Sequence, residues 1–175
     1  MDRGLIPELP SEELRKLDFL LGESSGWETL FPPDRGPVTF NAYITGTREH
    51  CMRFLRLEFY GQIPGVGIET FMALITYTRA MGCYRMWIFT SSQEEPLYLA
   101  GDFVDGKLVM TADPMETLWG TQKVRFLLAP CSDGGAEVRG EHWTIEGYEP
   151  FRHVVFHHDS IEPIAEEDWR SRGLS

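Results

Sequence analysis

From Trp27 onward, apolar and polar residues alternate with a period of two, in runs of six to twelve residues separated by clusters of Gly, Pro, Asp and Ser. This is the pattern of half-buried β-strands. The run "PVTFNAYITGT" places Val38, Phe40, Ala42 and Ile44 on one face and Thr39, Asn41, Tyr43 and Thr45 on the other. In "CMRFLRLEFYGQ", Leu55, Leu57 and Phe59 oppose Arg56 and Glu58. The runs "IETFMALITYTR", "CYRMWIFT", "LYLAGDF", "KLVMTAD", "TQKVRFLLA", "EVRGEHWTI" and "FRHVVFHH" continue the series, and with "GWETLF" as the first the count is about ten strands. Asp105-Gly106 is a two-residue hairpin signal, and "PCSDGG" is a second, longer one. Only the start of the chain reads as a helix. Ser11 can cap it, Glu12 and Glu13 suit its N-terminal dipole, and Leu14, Leu17, Leu20 and Leu21 form an apolar stripe before Gly22. The spacing predicts a short amphipathic plug or lid from about Ser11 to Leu21.

Successive strands with no helices between them predict an all-β fold of up-and-down antiparallel order. An open sheet of this length would leave two unpaired edges, and closure into a barrel removes them. The expected fold is therefore an antiparallel barrel of about ten strands with a short N-terminal helix, with a β-sandwich as the structural competitor. Barrels of this width often hold one small molecule, whereas narrower ones fill with side chains. At 175 residues the chain makes one domain, with residues 1–10 and 161–175 as tails.

Composition narrows the partners. With 42% hydrophobic and 25% charged residues the chain is globular, and 13% aromatic residues suffice for a large core or a lined cavity. A net charge of −11 argues against nucleic acid and anionic membranes as partners. No apolar run is long enough for a membrane helix, and the acidic N-terminus is unlike a secretory signal, so a cytoplasmic location is expected. Cys51, Cys83 and Cys131 are widely spaced and odd in number, which predicts reduced thiols and neither a disulfide framework nor a thiolate metal site.

The order of "LDFLLGE", "GVGIETFMALITYTRAMGCYRMWIFTSS" and "YLAGDFVDGKLVM" resembles an uncharacterised bacterial family with a lipocalin-like, calycin-type barrel. The likeness covers most of Leu17 to Asp159, with Tyr84, Trp87, Gly101, Phe103 and Gly106 at matching places. Two positions depart from the family pattern: its Gly-Glu-Trp is here "GESSGW", and its Asp-Ser is here "TSS". The resemblance implies a ten-stranded barrel with a small-molecule cavity and no established activity. Some related barrels bind haem through a histidine near the last strand, where this chain offers His153 or His157, without a C-x-x-C-H motif.

Among residues able to do chemistry, the histidines stand out. His153 and His157 share a strand face but are about 13 Å apart by strand rise, too far to chelate one ion. His142, on the preceding strand, is a candidate neighbour of His153, and such a pair facing a cavity can bind a ligand or move a proton near neutral pH. Arg56 and Glu58 belong on the outer face, opposite Leu55, Leu57 and Phe59. For Arg85, Trp87 and Phe89, which share a face opposite Tyr84, Met86 and Ile88, the direction is open. Motifs for nucleophilic, metallopeptidase, dinucleotide or P-loop chemistry are absent from the sequence.

The candidate ligand-binding residues are Trp27, Tyr84, Arg85, Trp87, Phe89, His142 and His153. The expected function is intracellular binding of a small, largely apolar molecule in the barrel, with no cofactor or metal called for and homodimerisation open. The alternatives are a cofactor-independent isomerase, cyclase or dehydratase using a cavity histidine, and a haem-binding barrel.

Overall fold

The computed structural model describes residues 11–158 except 51, 92, 118 and 119. The expected tails, and Cys51 with them, lie outside the described residues. Among these, ten strands close into an antiparallel barrel. They are β1 (Gly22–Leu30), β2 (Val38–Glu49), β3 (Phe54–Ile63), β4 (Gly67–Thr78), β5 (Cys83–Thr90), β6 (Leu97–Val104), β7 (Lys107–Ala112), β10 (Val124–Pro130), β11 (Ala136–Thr144) and β12 (Gly147–His157). Each pairs with the next in sequence, and β1 closes on β12 through pairs running from Ser25↔His157 to Leu30↔Arg152. A small hairpin, β8 (Met115–Thr117) with β9 (Gly120–Gln122), stands apart from the barrel. The expected run "TQKVRFLLA" is thus split at Lys123. Its first residues carry no alternating apolar face to hold them in the wall.

Alternation does in the fold what it does in the sequence. Phe40, Ala42 and Ile44, Leu55, Leu57 and Phe59, and Val124, Phe126 and Leu128 are all buried in one core. Arg56 and Glu58 pair with each other on the outside. Asp105 and Gly106 both take positive φ, 50° and 78°, as a tight hairpin turn between Val104 and Lys107 requires.

The N-terminal plug is built differently from the single helix expected. Helix α1 spans only Glu12–Arg15, capped by the Ser11 hydroxyl, which accepts a hydrogen bond from the Leu14 amide at 3.2 Å. The chain then tightens into a 3₁₀ turn at Asp18–Leu20. The leucine spacing explains the change: residues three apart drift around an α-helix but eclipse in a 3₁₀ turn, so the tighter winding returns Leu20 to the side of Leu14 and Leu17. All three are buried. The Tyr84 hydroxyl, on β5, donates to the Glu13 carbonyl at 2.7 Å, and Arg48, on β2, donates to the Leu14 carbonyl at 2.7 Å, so the plug is tied to the barrel rim by polar bonds as well as by packing. No helix among the described residues is long and apolar enough to cross a membrane.

Candidate functional site

Three charged side chains meet inside the barrel. On β1, Ser24 and Glu28 point inward while Trp27, between them, points out. On β12 the inward residues include Arg152, Val154 and Phe156, and on β4 Glu69, Phe71 and Ala73 share a face. Arg152 extends across the lumen. Its Nε lies 2.8 Å from Glu28 Oε1, and its Nη2 donates to Glu69 Oε2 at 2.7 Å, although β4 and β12 are not neighbours in the wall. The guanidinium also lies over the rings of Phe59 and Phe71, 5.6 and 5.7 Å from their centres, and those two rings stack on each other.

A bulge makes room for this arginine. The β11–β12 register shifts between Gly140 and Glu141, so that Gly140 pairs with Arg152 and Glu141 with Pro150, and Phe151 is the extra residue of the bulge. Phe151 and Arg152 both lie over Gly140, where a Cβ would come within 2.6 Å of the Phe151 ring and 2.7 Å of Arg152 Cγ. Glycine is what lets both side chains turn into the barrel at this point.

Beyond the charged group lies an apolar cavity of about 40 Å³, lined by residues that include Ile44, Leu57, Met86, Leu128 and Val154, with Glu28 and Arg152 in its wall. By size this is room for roughly three water molecules. Much of the remaining interior is filled with buried side chains, among them Phe40, Phe59, Phe126 and Phe156.

The electrostatics are set by burial. Only 1% of Glu28 is exposed, and neither of its carboxylate oxygens has a hydrogen-bond partner. The contact with Arg152 Nε has ion-pair distance without hydrogen-bond alignment. Burial raises the Glu28 pKa to about 7, against the lowering effect of the Arg152 charge and with a further push from Glu69. For Arg152, burial acts to lower the pKa, but Glu28 and Glu69 outweigh it, and the guanidinium stays charged.

The residues singled out from sequence fall in several places. Tyr84 points inward, fully buried, but its hydroxyl serves the plug; burial and the neighbouring Glu13 raise its pKa. Trp27 and Phe89 are exposed, 64% and 40%, and Arg85 and Trp87 share the outward face with Phe89, where Trp87 packs against Tyr98. His153 is on the outer wall, 3.0 Å from Glu137, and His157 is held by Asp133 at 2.5 Å, so neither histidine near the last strand lines the cavity as a haem ligand would. The His142/His153 pair does not form. His153 pairs with Arg139 and His142 with Glu149, a register fixed by the turn into Gly147 and by the bulge. The His142 ring stacks against Phe151, and its Nδ1 is buried without a hydrogen bond. Among the described residues, no three of His, Cys, Asp and Glu come together as a metal site. Cys83 and Cys131 are free thiols, and burial raises that of Cys131.

Glu28, Arg152 and Glu69 were not among the sequence candidates. The signal that could have found them is a charged residue on an otherwise apolar strand face: Arg152 in phase with Val154 and Phe156, Glu69 in phase with Phe71, Ala73 and Ile75. For Glu28 the neighbouring Trp27 masked the phase, because the tryptophan reads as the inward residue.

Fold and site together define a closed ten-stranded barrel with a small apolar cavity that ends on a buried ion group. Neither protein-family models nor curated proteins give a match to this chain.

Proposed function

We propose that this lipocalin-like barrel binds a small, largely apolar molecule in its interior, with the polar end of the molecule at Glu28 and Arg152. One observation carries the reading: an apolar cavity has in its wall a carboxylate that is removed from water and has one oxygen, Oε2, without a partner. Ligand sites are mostly apolar with a few placed polar groups, and a buried polar atom without a partner costs free energy until something answers it. The cavity sets the scale of the guest, since about 40 Å³ takes only a few heavy atoms without movement of the wall.

Xenon tests this directly, because it enters small apolar cavities without needing a polar partner. NMR titration under xenon pressure is expected to shift the methyl signals of Leu57, Met86 and Leu128 saturably, and Ala73→Leu, which fills the same space, is expected to abolish the shifts. Unchanged methyl signals would remove the cavity reading.

A second reading, proton-transfer catalysis, draws on the position of Glu28, since a carboxyl poised near 7 in an apolar site can take or give a proton at neutral pH. In this form the enzyme alternative rests on a carboxylate and not on a histidine. Its mark would be hydrogen–deuterium exchange at carbon in a small ketone, lost in Glu28→Gln.

A further inference from the structure

We infer that the molecule taken by this cavity ends in a positively charged nitrogen group, a protonated amine, seated on Oε2 of Glu28. This rests on the cavity-binding reading and adds the chemistry of the headgroup.

Charge is the first argument. The group contains two carboxylates, Glu28 from β1 and Glu69 from β4, and one guanidinium, Arg152 from β12. When all three are ionised the set carries one excess negative charge; Glu69 is partly exposed, whereas Glu28 is buried and Arg152 nearly so. On the strands flanking β1, the residues paired with Glu28 are Phe40 and Val154, which bring no charge, and His142 at the same end of β11 packs on Phe151. An unbalanced buried charge is costly, and a cationic guest removes the imbalance where an anionic one doubles it.

Hydrogen-bond accounting is the second. Glu69 is answered by Arg152 Nη2 and Glu28 Oε1 by the nearby Arg152 Nε, whereas Glu28 Oε2 has no partner. An ionised carboxylate only accepts, so the partner of its free oxygen must donate, as a charged N–H group does. Two of the three guanidinium nitrogens of Arg152 are already taken up by carboxylates. Its faces lie over Phe59 and Phe71, Nη2 is engaged by Glu69, and Nε lies against Glu28.

Burial raises the pKa of Glu28 to about 7, so near neutral pH a proton offsets the imbalance. A cationic guest takes the place of that proton, so binding below neutral pH releases one.

The test compares n-propylamine, n-propanol and propionate, three guests of matched length, by calorimetry and NMR at pH 6 and pH 8. Propylamine is expected to bind best at pH 8 and about tenfold more weakly at pH 6, following the ionised fraction of a group that titrates near 7. Calorimetry at pH 6 in two buffers of different ionisation heat should report close to one proton released. Propanol is expected to bind with no pH dependence, and propionate weakest at pH 8. Glu28→Gln should remove both the amine preference and its pH dependence while propanol still binds; the wild-type pH comparison decides the matter even if that variant does not fold. Amine and alcohol binding alike at pH 8, or propionate binding best, would overturn the headgroup inference and leave the cavity reading standing. Failure of all three guests to bind would overturn both.

Discussion

Glu28 and Glu141 are both carboxylates removed from water, and the fold treats them in opposite ways. Glu141, on the outer wall, is held by Arg125 Nε at 2.5 Å and Arg139 Nε at 3.1 Å. Glu28 lines a cavity, with Arg152 Nε 2.8 Å from one carboxylate oxygen and no partner for the other. The difference has a measurable sign. The folded pKa of Glu28, about 7, lies above its ordinary 4.5, so the folded state keeps a proton that the unfolded chain has already released. Its contribution to stability is full below pH 4.5 and is lost as the pH rises to 7, by roughly 3 kcal/mol across that window at about 1.4 kcal/mol per pKa unit. Glu28→Gln removes this loss. Urea unfolding at pH 5 and pH 8 is expected to show a flatter profile for the variant, with greater stability than the wild type at pH 8; parallel profiles would mean that Glu28 does not titrate in this window. Arg152→Met should act the other way. It leaves Glu28 and Glu69 without their cation, a loss of about 3–5 kcal/mol typical of breaking a buried pair, and the loss should shrink at pH 5, where Glu28 is neutral without help.

At the scale of elements, the plug shows how a short segment can be held firmly. Gly46 on β2 pairs with Gly22, and a Cβ at Gly46 would lie 1.8 Å from the Leu20 carbonyl oxygen, so the 3₁₀ turn rests directly on the strand's backbone. Gly46→Ala is expected to lift that turn and destabilise the protein by about 1–3 kcal/mol, the usual cost of overpacking. Tyr84→Phe, which removes the donor to the Glu13 carbonyl, should cost about 1 kcal/mol. Native-state hydrogen exchange distinguishes local from global effects. Both variants should speed exchange of the Leu17 and Leu20 amides, which bond to the Leu14 and Leu17 carbonyls, more than exchange of β10 and β11 amides. Equal acceleration everywhere would show that the plug opens only with the whole barrel. The ten wall strands and the Asp105-Gly106 turn were legible because period-two alternation and turn chemistry are local signals. The break in the helix, the β8–β9 hairpin and the bulge at Phe151 were not: the leucines fit either winding, β8 and β9 pair outside the barrel, and the bulge is set by the register with β11.

For the whole molecule, the decisive quantity is which face of each strand turns inward, and a chain's alternation gives the two faces without naming the inner one. On β2 and β3 the polar residues settle it. On β5 both faces are rich in apolar residues, and the structure turns Tyr84, Met86 and Ile88 in and Trp87 and Phe89 out. The same ambiguity on β1 hid Glu28 behind Trp27. Trp27, Trp87 and Phe89, which looked like a cavity lining, therefore lie on the outer surface, Tyr84 alone of the aromatic candidates turns in, and the interior that remains is small, apolar and polar at one place. This separates two substitutions that sequence alone would rank the other way round. Trp87→Ala truncates an outer side chain packed on Tyr98 and should leave the affinity of any guest in the cavity unchanged, while costing some stability from lost aromatic contact. Ala73→Leu places three additional carbons at a residue that is 2% exposed and lines the cavity. Filling that space offsets the strain of a larger side chain, so its cost should stay within about 1.5 kcal/mol while guest binding is lost. Calorimetric titration of n-propanol into both variants, beside their urea midpoints, checks the pair. Weakened binding in Trp87→Ala together with normal binding in Ala73→Leu would move the site from the lumen to the outer face of β5.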